Sequence, residues 1–126
     1  MSRLARFFLA TLLLAAAGTA RAEESASDRE ARCLAMIAFA EAASEGREGM
    51  AAVIRVVRNR KGHPSFPSDA CAGALQDRQF QPVSESPALK QALADPGSID
   101  IDSFFGSGKA DKAAMATARK LASTRA

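Results

Sequence analysis

Tryptophan and tyrosine are both absent from this 126-residue chain, whose aromatic content rests on seven phenylalanines. The indole platform on which sugar rings commonly stack is therefore not available. Histidine is nearly absent as well: His63 is the only one, in a loop before Pro64 and remote in sequence from any ligand cluster. With its two cysteines expected to be bridged after export, a metal site would have to rely on carboxylates and a Cys-His nucleophile would lack its reduced thiol, and no metal is expected. Gly106-Ser-Gly108-Lys109 lacks the length and the preceding strand of a phosphate loop, and reads as a helix lead-in.

Excess charge is missing once the first residues are set aside. Arg3 and Arg6, an uncharged run from Phe7 to Ala17, and small residues around Arg21 have the layout of a secretory signal peptide over residues 1–22, too short and wrongly flanked for a membrane span. The chain carries 17 Lys and Arg against 14 Asp and Glu, but Arg3, Arg6 and Arg21 belong to that leader, and without them the two signs balance. Residues 23–126 are then a near-neutral single domain with one modest core, exported to a periplasm or beyond the cell, with no membrane anchor once the leader is cut. Arg55, Arg58, Arg60 and Lys61 cluster locally, yet broad attraction to nucleic acid is not supported, and no nucleic-acid partner is expected. In an oxidising compartment Cys33 and Cys71 are expected to pair, which stabilises a domain of this size by about 3–4 kcal/mol.

The periodicities predict a helical protein. Asp28 is the expected cap of a helix running to about Ser44, with Cys33, Met36, Ile37 and Ala40 recurring at helical steps. Gly46 and Gly49 separate it from a helix over Gly49 to Arg60 whose buried stripe is Met50, Val53, Ile54 and Val57. Gly62-His-Pro64 ends that helix. Ser68 caps a short helix through Leu75, and Gln76 to Pro82 reads as irregular. Ser86-Pro87 starts a helix that Asp95-Pro-Gly97 stops. Lys109 to Ser123 forms the last helix, buried along Ala110, Ala114 and Leu121. The alternation from Ile99 to Phe105 allows one short strand.

What stands out within this pattern is Glu41, an acid at the end of the apolar run Cys33-Leu-Ala-Met-Ile-Ala-Phe-Ala40. It lies about 40° from Ile37 on the helical wheel, on or beside the core face. Glu45, four residues on, shares its side of the helix, so each disfavours the other's ionised form, and burial acts in the same sense. Glu48, just before Gly49, sits at the positive end of the next helix, where its charge is favoured. Acids held in opposed environments suit a donor and a stabiliser or base; the plain alternative is a solvated helix end joined to a turn.

The order Phe39-Ala-Glu41-Ala42, Glu45, Glu48-Gly49, Ala51-Ala-Val-Ile-Arg-Val-Val57, Asn59-Arg60, Phe66-Pro67, Cys71 and Gln79-Phe80 resembles the cell wall hydrolase family typified by spore-cortex-lytic enzymes, over about Cys33 to Pro82. That resemblance implies a mainly α, lysozyme-like domain acting on peptidoglycan glycan strands without a cofactor. It makes Glu41 the catalytic acid and gives Glu48 a supporting catalytic role. Glu45, Phe39, Asn59, Gln79 and Phe80 become candidates for substrate contact, the last two lining the cleft or anchoring a loop. Family members that are lytic transglycosylases cut between N-acetylmuramic acid and N-acetylglucosamine. The chain departs from the family in having Phe39 where Tyr is usual and Ala43-Ser44 where Arg-Gly is usual. Beyond Pro82 it offers only Ser103-Phe-Phe-Gly-Ser-Gly108 for the far cleft wall. The competing expectation is a non-catalytic peptidoglycan-binding or envelope interaction protein that keeps the fold.

Overall fold

The computed structural model describes residues 25–76, 79–106 and 108–124; the leader expected over residues 1–22 lies outside them. The mainly α, lysozyme-like domain is what the described residues form. They comprise seven α-helices and two 3-10 turns, with no strand among them. No helix among them is long and apolar enough to cross a membrane.

Helix α1 (Ala26–Ala42) is the hub, packed against α2 (Gly46–Lys61), α3 (Ala70–Leu75), α4 (Gln81–Glu85) and α7 (Lys109–Ser123). Every residue from Cys33 to Phe39 is buried, which is how a helix that is apolar all round must sit. The cap is Ser25, whose Oγ accepts the Asp28 N–H at 3.1 Å. Asp28 falls instead in the first turn, where the helix dipole favours its charge. The 3-10 turn Ala43–Glu45 then leads into α2, and Gly46 takes φ +72° at the junction.

Gly49 lies inside α2, not between helices. A Cβ placed there would lie 2.4 Å from Glu45 Cβ and 3.5 Å from Ala42 Cβ, so the glycine lets the acidic turn fold back onto the helix. Gly49→Ala is expected to destabilise by about 1–2 kcal/mol, overpacking outweighing alanine's better helix propensity. A lowered urea midpoint at unchanged m checks this; an unchanged midpoint contradicts it.

The α2 stripe is as expected, with Met50, Ile54 and Val57 buried and Val53 packed against them. On α7 the buried residues are Met115, Ala118 and Ala122, while Ala110 is exposed; in a helix this rich in alanine the sequence does not say which alanines turn inward. Arg58 of α2 closes the end of α7 by donating from Nη2 to the carbonyls of Ala122 (3.1 Å) and Thr124 (2.7 Å). Asp69, not Ser68, caps α3, accepting the Cys71 N–H at 3.0 Å. Burial alone would raise Asp69, but Arg29 and the N–H groups of Cys71 and Ala72 outweigh it and hold the carboxyl below the ordinary carboxylate range. Cys71 is bonded to Cys33 of α1, both fully buried, 38 positions apart in sequence and 5.3 Å between Cα atoms.

The segment expected to be irregular after Gln76 contains the start of α4. Helix α5 (Pro87–Ala94) begins at its Ser86 cap as read. Where a strand was allowed, Asp100 caps α6 (Ile101–Phe104), accepting the Asp102 N–H and the Ser103 hydroxyl. That cap overrides the apolar alternation.

Candidate active site

Three acids gather where α1 ends and α2 begins. Glu41 is the penultimate residue of α1 and is half-buried, between buried Ala38 and Ala42 of the same helix and the exposed turn beyond. Burial first, and then the negative charge of Glu45, push its carboxyl above the ordinary value. The last turn of α1 carries no basic residue, so the negative end of the helix adds to the same effect. Glu45 is exposed and folds over Gly49. Glu48 stands exposed in the first turn of α2, where the helix end favours an anion. A carboxyl whose protonated form is favoured, beside two exposed acids, has the chemistry of a proton donor. Among the described residues no group of His, Cys, Asp and Glu is disposed to hold a metal ion.

The segment after α6 returns to this end of α1. Phe105 packs on Phe39 with ring centroids 4.8 Å apart, and Phe104 stands edge-on to Phe105 at 4.8 Å. Phe39 is buried behind Phe105, whereas Phe104 is 37% exposed. The short aromatic piece downstream of Pro82 therefore packs on the last turns of α1 through Phe39. Sequence reading found the piece but not its position; its signal was an adjacent pair of phenylalanines ahead of Gly106.

Other candidates lie elsewhere. Asn59 is exposed near the far end of α2, about 16 Å along the helix from Glu48. Phe80 is buried, with the Arg60 guanidinium 5.1 Å from its ring and 5.6 Å from that of Phe66. Phe80 thus anchors the packing around Arg60, whose Nη1 is buried without a hydrogen bond. Gln79 is half-buried and donates its backbone N–H to the Gln76 carbonyl at 3.4 Å. Concavities lie around the start of α1 (about 550, 390 and 280 Å³) and between α2 and α7 (about 230 Å³), and Glu41 lines none of these.

No curated protein and no solved structure matches the chain. A family model described as Cell Wall Hydrolase matches residues 44–125. The matched span takes in Glu45, Glu48, Asn59, Cys71, Gln79 and Phe80, and it runs through Phe104, Phe105 and α7, well past the Pro82 limit of the sequence resemblance. Glu41, Phe39 and Cys33 precede it. A match over well more than half of the sequence, together with a helical domain that carries the motif's acids at one helix junction, establishes that the chain belongs to the cell wall hydrolase family.

Proposed function

We propose that this chain cleaves the glycan strand of peptidoglycan as a lytic transglycosylase of the spore-cortex-lytic type, with Glu41 as general acid and base. The observation that carries the reading is a half-buried carboxyl raised by burial and by Glu45 at the helix junction. Glu41 gives its proton to the glycosidic oxygen as the bond from C1 of N-acetylmuramic acid breaks, freeing the 4-hydroxyl of N-acetylglucosamine. Glu48, exposed in the first turn of α2, is suited to steady the positive charge developing at C1. The muramoyl 6-hydroxyl then bonds to C1 and returns its proton to Glu41, leaving a 1,6-anhydro end. Neither step calls for a metal or cofactor. The expected leader would deliver the domain to the periplasm or beyond the cell, where this substrate lies.

Release of soluble muropeptides from purified cell walls tests the reading. Its pH profile should fall as pH rises through the raised Glu41 value. Glu45→Gln removes a negative neighbour, eases ionisation of Glu41, and should move that basic limb to lower pH; a limb that stays in place would break the link between the two acids. The second reading is peptidoglycan binding without turnover. It is favoured by Glu41 preceding the matched span and lining none of those concavities, and it predicts retention on cell walls with no release.

A further inference from the structure

The concavity between α2 and α7, about 230 Å³, has a floor of Ile54 and Leu121 and a polar rim of Arg55, Arg58, Asn59 and Thr124. Its lining contains no carboxylate. The larger concavity that Arg58 also borders carries Asp28 and Glu30, and others at the start of α1 carry Asp28 or Glu30 with Asp69. Arg58 is held in place by the two α7 carbonyls on Nη2, which leaves its Nε and Nη1 groups uncommitted among the described residues. Arg55 is exposed and makes no ion pair among them. Two cations over an apolar floor select a ligand that has a carboxylate next to a small apolar group.

Arg55 and Asn59 share one exposed face of α2 with Glu48, at seven- and eleven-residue steps. They stand about 10 and about 16 Å from it along the axis. A peptide of four or five residues spans up to about 13–18 Å when extended, so a peptide branching from a glycan held at the acidic turn reaches the concavity.

We infer that the α2–α7 concavity binds the peptide stem of peptidoglycan, its terminal carboxylate between Arg55 and Arg58 and its alanine methyl on Ile54 and Leu121. The inference rests on the peptidoglycan reading but not on Glu41. Binding of the free stem tetrapeptide ending in D-alanine, and of the same peptide with its C-terminus amidated, to the full chain by calorimetry tests it. The acid form should bind about tenfold more tightly than the amide, and Arg55→Glu should erase that difference while the circular dichroism spectrum stays native. Glu41→Gln should keep it. Equal binding of acid and amide, or a preference that survives Arg55→Glu, overturns the inference. Loss of glycan cleavage with stem binding intact would count against the catalytic proposal alone, whereas cleavage without stem binding would count against this site alone.

Discussion

Glu41→Gln is expected to slow muropeptide release by about 10²- to 10⁴-fold, the range a positioned general acid supplies. The amide keeps the shape of the side chain but has no proton of suitable acidity for the leaving oxygen. Its effect on folding should have the opposite sign. A carboxyl whose folded-state value is raised contributes stability below its unfolded value and loses it as pH rises through the folded value. The wild-type chain should therefore lose part of its stability on passing from acid to neutral pH because of Glu41, and the Gln variant should lose less. Urea melts at pH 4 and pH 7 beside the rate assay separate the two effects. A variant that is inactive because it is unfolded would show itself in the melts.

Removing the Cys33–Cys71 bridge should produce the largest loss of stability. The double replacement by Ala is expected to cost about 2–5 kcal/mol, which is a large part of the stability of a small exported domain. Alanine is preferred to serine because both sulfurs are fully buried and a hydroxyl there would need a partner. The bridge joins the middle of α1 to α3, so its loss also loosens the helix that carries Glu41 in its last turn. A urea midpoint that falls in the double variant, and falls alike for wild type under reducing conditions, checks this; equal midpoints would mean that the apolar packing around α1 suffices.

Where local chemistry decides the backbone, the sequence was enough. Ser86-Pro87 and Asp95-Pro-Gly97 bracket α5, and the limits of α7 are those its composition suggested. Readings failed where the deciding contact is distant or where two local choices compete. Ser25 and Asp28 are both good acceptors, and only one caps α1. Gly49 looked like a helix breaker because residue type alone does not show that Glu45, four residues earlier, folds against its Cα. Asp100 beat the alternation of Ile99 to Phe105 through two local hydrogen bonds. The acids of the site were legible because they are close in sequence, and the bias on Glu41 follows from helix spacing. The aromatic contact was not, since Phe39 and Phe105 meet only when the last third of the chain folds back on α1.

Mass spectrometry of the fragments released from purified peptidoglycan tests the central claim most directly. The account predicts muropeptides ending in 1,6-anhydro-N-acetylmuramic acid, one water lighter than hydrolysed ends, from the wild-type protein, and their loss in Glu41→Gln. Reducing ends in their place would make the chain a hydrolase. Undiminished release from the Glu41→Gln variant would contradict the assignment of Glu41 outright.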